Sequence, residues 1–190
     1  MKWLHVYTEE PSAKIIFDTL LPKILPTDVF FSVYSHQGKQ DLEKALRKTL
    51  PSISKIPGSR ILITRDQDSG DCKDVKKKLD DIILGNCSCP YKIRIVCTEL
   101  ESWFLGDLAA IENAYPRFRA GVYSTKADLR NVDSIVTPNN YLLKAIPEYS
   151  GKETLPKLET AENISKFMSL EFNKSTSFNF TISAIYQLIA

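Results

Sequence analysis

Acidic residues recur in this chain wherever an apolar stretch stops. Glu9-Glu10 follows Lys2–Thr8, Asp66-Gln67-Asp68 follows the run Arg60-Ile61-Leu62-Ile63-Thr64, and Glu99-Leu100-Glu101 follows Ile93-Arg94-Ile95-Val96-Cys97. Residues two apart on extended backbone point to the same side, so Asp66 and Asp68 can aim at one point. Glu99 and Glu101 can do the same if their segment stays extended. Two carboxylates about 4 Å apart repel by roughly 4 kcal/mol at an effective dielectric near 20. Gathering several of them strains a domain whose net stability is only about 5–15 kcal/mol. Raised pKa values, Lys or Arg partners, or divalent cations must compensate. An oxygen-only donor set without His or Cys suits Mg²⁺ or Mn²⁺ rather than zinc. Two such ions spanning a phosphodiester can activate a water and stabilise the leaving oxygen. Glu9, Asp66 and Asp68 are therefore expected to handle a metal or phosphate, with Glu99 and Glu101 as further ligands. Glu10 or Asp71 taken alone reads as a helix cap or a solvated turn residue.

A phosphodiester site also needs cations to hold the backbone and neutralise the transition state. Lys39, directly after Gly38, is the best-placed candidate. It opens a run that continues with Lys44, Arg47, Lys48, Lys55 and Arg60, against the acids Asp41 and Glu43. Such a run forms either one wall of a nucleic-acid groove or a solvated helix face. His36 reads as a turn or helix-start residue, and Trp103 and Phe104 as core.

Apolar stretches alternate with amphipathic patterns through the first part of the chain. Strands are expected at 2–8, 29–34, 60–64 and 93–97, and helices between them. Pro11 suits a first helical turn, and Pro22 marks that helix's end or a kink. Strand–helix alternation argues for a mainly parallel sheet flanked by helices, whose strand ends share the edge where ligands bind. Residues 1–115 form this α/β core. Residues 116–190 form a loop-rich segment (117–137) and three C-terminal helices near 138–146, 160–170 and 177–189, packed on the core as a single domain. Ser175 or Ser177 is available to cap the last helix.

The 190 residues include 43% hydrophobic and 25% charged side chains, 10 Pro and 7 Gly, which excludes disordered, collagen-like and disulfide-scaffold classes. Lys+Arg (25) and Asp+Glu (23) nearly balance, so bulk positive charge does not make the chain a nucleic-acid coat. No apolar run approaches the roughly 20 residues needed to cross a bilayer. The start, Met1-Lys2-Trp3-Leu4-His5-Val6, is too quickly polar for a signal peptide, and a cytoplasmic protein without membrane attachment is expected. Cys87-Ser88-Cys89 is too closely spaced for a usual zinc pair, so Cys72, Cys87, Cys89 and Cys97 read as reduced thiols. No Gly-x-x-x-x-Gly-Lys loop is present, so the chain is not itself a P-loop ATPase.

The order of a Glu after the first strand, Asp-x-Asp after a later one and further acids downstream resembles the Toprim domain of topoisomerases, primases and OLD-type nucleases. More narrowly, several segments resemble a group of bacterial Toprim-like proteins often encoded beside an AAA/ABC-type ATPase. These are Thr8-Glu9-Glu10-Pro11-Ser12, His36-Gln37-Gly38-Lys39, Arg65-Asp66-Gln67-Asp68, Glu99 to Asp107, and Ser175-Thr176-Ser177-Phe178. The resemblance implies a Toprim-like (Rossmann-like) fold with Glu9 as general acid/base or metal ligand. Asp66 and Asp68 would hold Mg²⁺ or Mn²⁺, and Glu99 or Glu101 would complete a second metal site. Lys152, where related proteins carry a basic residue, becomes a second cationic candidate. The implied function is a nuclease acting on DNA or RNA, an antiviral-defence effector governed by a partner ATPase, with a homo-oligomer possible. The chain departs from the family at Glu10, where Toprim domains usually have Gly, and at Ala13, where OLD-like members often carry Asp. Two other classes remain open: a non-catalytic interaction subunit that keeps the fold, and a phospho-acceptor signalling domain with Asp66 as acceptor.

Overall fold

A computed structural model describes residues 1–190. Strands β1 (Lys2–Thr8), β2 (Val29–Ser35), β3 (Ser59–Asp66) and β4 (Tyr91–Val96) alternate with helices α1 (Pro11–Ile24), α2 (Lys39–Ile53) and α3 (Cys72–Ile83). The four strands form one all-parallel sheet in the order β2-β1-β3-β4. A parallel sheet must be covered on both faces, and the alternation of side chains supplies two apolar surfaces. Leu4, Val6 and Leu62 pack against α1 and the C-terminal helices, while Tyr7, Ile61 and Ile63 pack against α2 and α3. The chain is thus α/β and doubly wound, as its alternation implies.

Two expected boundaries move. Pro22 lies inside α1, which runs two residues past it to Ile24, so the proline sits in the last turn rather than at the helix end. The third strand extends to Asp66, so this carboxylate is the last strand residue rather than part of the following turn.

The second half comprises α4 (Glu101–Leu105), α5 (Leu108–Ala114), α6 (Ala120–Ser124), α7 (Pro138–Ala145), α8 (Lys157–Ser165) and α9 (Thr176–Ile189), with short 3₁₀ turns between α6 and α8. The segment 117–137 is more ordered than its weak periodicity suggests, since Phe118, Leu129 and Val132 join the main core. The helix expected at 160–170 begins earlier, with Pro156 at its N-cap and Lys157 as its first residue. That shift brings Lys157 into the site.

Several motif residues near the acids turn out to be structural. The Trp103 indole N–H donates to Ser177 Oγ at 2.9 Å, and Asn173 Nδ2 donates to the Trp103 carbonyl at 2.9 Å. A Cβ on Gly106 would collide with Asn173 Oδ1, so this close approach requires glycine. Asp107 caps α5 through the Ala110 N–H and also accepts from the Ser169 N–H. Ser175 caps α9 through the Phe178 N–H. Together these bonds fix α4, and with it Glu101, against α9.

Candidate functional site

The chain winds in opposite directions from β1 to β2 and from β3 to β4. The crevice between the carboxyl ends of β1 and β3 is therefore the topological switch point of the sheet, where open α/β folds bind ligands. Glu9 leaves β1 and Asp66 ends β3 at this crevice. The Asp66 N–H donates to Glu9 Oε2 at 3.2 Å, so the two segments are joined by the residues singled out for chemistry. A cavity of about 10 Å³, room for roughly one water, lies between them. The Ala13 side chain is among those lining it.

Asp66 and Asp68 do not aim at one point. Asp68 has φ +54°, a left-handed backbone conformation that breaks the strand alternation. Its half-exposed carboxylate turns to Lys39 Nζ at 3.7 Å, while buried Asp66 accepts from the Leu100 N–H at 3.3 Å. Lys39 stands at the start of α2 because Gly38, at φ +94°, turns the chain there and donates its N–H to the Glu9 carbonyl. His36 has a tethering role, with Nδ1 2.8 Å from the Thr8 carbonyl oxygen and its ring stacked on Tyr7.

Glu99 and Glu101 also part, because the chain turns helical at Glu101 instead of staying extended. Glu99 accepts from the Asn139 N–H on α7. Glu101 is only 1% exposed, and its Oε2 has no hydrogen-bond partner. Its other oxygen lies 3.8 Å from Lys157 Nζ, which is 3.0 Å from Glu10 Oε2. Lys152 lies apart from the acids, paired with Glu159 and set over the Tyr149 ring. Beside Lys157 and Glu99 opens a polar cleft of about 350 Å³ walled by Asn139, Asn140 and Thr154.

Three site residues escape sequence reasoning. Lys157 is 147 positions from the Glu10 it pairs with. Arg65 lies buried under Glu9, with Nε 3.8 Å from Glu9 Oε2, and its Nη1 donates to Glu43 at 2.9 Å. Only the Arg65-Asp66 adjacency pointed to Arg65; for Lys157 and Glu43 no local signal existed.

The electrostatics follow from burial and crowding. Burial drives the Asp66 carboxyl well above the usual carboxylate range, and Glu101, Glu10 and Glu9 push it further against the single Leu100 N–H. Burial and then Asp68 raise Glu9, partly offset by Arg65. Burial lifts Glu101 from its ordinary 4.5 to about 7 despite Lys157. For Lys157, burial works against the charged form, but Glu101, Glu10 and Asp66 override it and hold the ammonium above its ordinary value. Six carboxylates (Glu9, Glu10, Asp66, Asp68, Glu99, Glu101) thus meet three cations (Lys39, Arg65, Lys157), and Arg65 is shared with Glu43.

Hard oxygen donors, surplus negative charge and the unpartnered Glu101 oxygen suit a divalent cation of the Mg²⁺ or Mn²⁺ type. The side chains have not closed around one, since no three of them stand in metal-holding geometry. Glu9, Asp66 and Asp68 would need rotamer changes to ligate together.

The raised acids fix the sign of a pH dependence. A carboxyl with a higher pKa folded than unfolded contributes stability that is complete below about 4.5 and lost as pH rises through about 7 for Glu101. A rise from 4.5 to about 7 corresponds to roughly 3 kcal/mol. Lys157 stays charged across this window and adds no slope. Thermal melts should show Tm falling between pH 4.5 and 7, with Glu101→Gln flattening the fall. Equal slopes for the two proteins would remove Glu101 as the cause.

The fold and this acid-rimmed switch point define the class, a doubly wound parallel α/β protein with a carboxylate-lined crevice between β1 and β3. No protein-family model matches the chain, and no curated protein or solved structure is significantly similar to it.

Proposed function

We propose that the chain is a Mg²⁺- or Mn²⁺-dependent, Toprim-like nuclease that hydrolyses phosphodiester bonds in DNA or RNA, as a defence effector governed by an AAA/ABC-type ATPase. The observation that carries this reading is the buried Asp66 carboxyl at the switch point, crowded by Glu9, Glu10 and Glu101 with too few cations nearby. Glu9, Asp66 and Asp68 would hold one ion, and Glu99 or Glu101 would complete a second site. Bound there, the metal would activate water and neutralise the leaving oxygen.

The chain's own groups do the rest. Glu9, whose pKa burial raises and whose Oε2 is fixed by the Asp66 N–H, can take and return a proton. Lys39, exposed beside Asp68, can meet a backbone phosphate at the mouth of the crevice. Lys157 fixes Glu10 and Glu101 and borders the polar cleft that would receive substrate. The other basic residues of α2 lie on its exposed face.

Cleavage of plasmid DNA and of RNA with Mg²⁺ or Mn²⁺ tests this, comparing wild type with Asp66→Ala and Glu9→Ala. Each substitution should lower the rate by roughly 10²–10⁴-fold. Cleavage unchanged by both would eliminate the mechanism.

Two observations favour the non-catalytic reading. Lys157 already offsets Glu10 and Glu101, and Ala13 puts a methyl where another acid could complete the site. Calorimetry finding no Mg²⁺ binding to the chain would shift the balance to a binding subunit. The phospho-acceptor reading is weakened by Asp66 itself, which is buried, resists ionisation and has no Lys or Arg within 4.0 Å to steady a phosphoryl group.

A further inference from the structure

The far edge of the sheet carries a second feature, independent of the acids. Strand β4 pairs only with β3, so one side of its backbone is open. The Val96 carbonyl accepts from the Gln67 N–H and the Pro90 carbonyl from the Ile61 N–H. Even-numbered residues therefore face β3, and Ile93 and Ile95 turn their backbone groups outward. The Ile93 carbonyl is met by the Arg94 side chain, which leaves the N–H of Ile93 and both polar groups of Ile95 to face a cavity of about 250 Å³.

Helices α3 and α9, packed on opposite faces of the sheet, wall this cavity, with the strand edge as its floor. The rim is cationic. Lys73 and Lys76 project from α3 and are exposed, and Arg94 stands on the strand with Nε donating to the Phe180 carbonyl. The one acid in the lining, Asp133, is engaged by Ser175 Oγ and the Ser177 N–H. Phe180, 61% exposed, adds an apolar wall.

We propose that this slot is a strand-addition site for an extended, acidic segment of a partner protein. An open edge between two helices offers alternating donors and acceptors at a spacing that only another extended backbone matches. The six residues of β4 span about 20 Å, enough for a short peptide. The cationic rim selects acidic side chains on the incoming strand. A second copy of this chain is a poor occupant. Its β4 would bring Lys92 and Arg94 against the same cations, and its other open edge, β2, carries no charge.

The probe is a blocked decapeptide of alternating Glu and Val, with a Lys–Val peptide as control, added to the full chain while amide hydrogen exchange is followed. The Glu–Val peptide should slow exchange at Ile93 and Ile95 tenfold or more, and the Lys–Val peptide should not. Lys73→Glu combined with Lys76→Glu, both exposed positions that make no ion pair with the acids, should weaken binding at least tenfold and reverse the preference. The proposal is overturned if neither peptide protects these amides at millimolar concentration, or if both bind alike. It is equally overturned if the amides become protected with rising protein concentration alone as a dimer sediments. Displacement of the peptide by a single-stranded oligonucleotide that leaves Ile93 and Ile95 unprotected would reassign the rim to nucleic acid.

Discussion

Replacing Lys157 with Met should destabilise the protein by about 2–4 kcal/mol, because removing the half-buried ammonium leaves the charge of buried Glu101 uncompensated. For a chain of 190 residues this corresponds to a Tm drop of about 5–15 °C. Met preserves the apolar stem, so packing loss is small and the effect isolates the ammonium. That ammonium is shared by Glu10 and Glu101 and lies close enough to Asp66 to respond to it. Glu101 suffers most, since its other oxygen has no partner and it sits almost wholly out of water. Adding Glu101→Gln to Lys157→Met should restore most of the loss, a coupling that independent sites would not show. Millimolar Mn²⁺ should raise the Tm of Lys157→Met more than that of wild type, as the ion takes over the missing positive charge. Melts at pH 8 and low salt give the answer, and a single-variant change below about 0.5 kcal/mol, the level of an ordinary surface substitution, would show that the acids do not depend on Lys157.

Lys157 also marks the limit of what could be read without the fold. The parallel sheet was legible because each strand is a short apolar run bounded by turn residues and followed by a helical stripe. The site's location was legible because parallel strands must end on one edge, which brings Glu9 and Asp66 together whatever the loops do. Loop conformation and long-range pairing were not. The left-handed turn at Asp68 and the helix start at Glu101 each undo a same-side rule that holds only for extended chain. Lys152 and Lys157 are both lysines near the start of the same helix, and only the Pro156 boundary decides which one reaches the acids. Trp103 as core and Ser175 as a helix cap were legible from apolar character and cap chemistry, but their joint effect was not. With Asn173, Trp103 and the capped start of α9 hold α4 in place and so act on the site by positioning Glu101.

Asp66→Asn should raise stability while abolishing cleavage. The amide keeps the size of the side chain and an oxygen to accept the Leu100 N–H, but it carries no charge to bury. In wild type, burial and three neighbouring acids work against the ionised carboxylate, with one N–H in its favour and no Lys or Arg within 4.0 Å. Relief of a buried charge with so little compensation is worth on the order of 1–3 kcal/mol. That gain appears as a Tm higher by about 3–10 °C for a protein of this length. Asp66→Ala should behave differently, because it leaves the Leu100 N–H without a partner and enlarges the cavity beside Ala13. Its melt should lie below that of Asp66→Asn, and both variants should fail to cleave. The comparison separates two reasons for keeping an acid at the end of β3. If the carboxylate serves ligand binding, the fold tolerates it at a cost in stability and the neutral isostere melts higher. If the carboxylate serves the fold, Asp66→Asn melts lower than wild type, the surplus-charge reading of the rim fails, and the metal site proposed on it fails too.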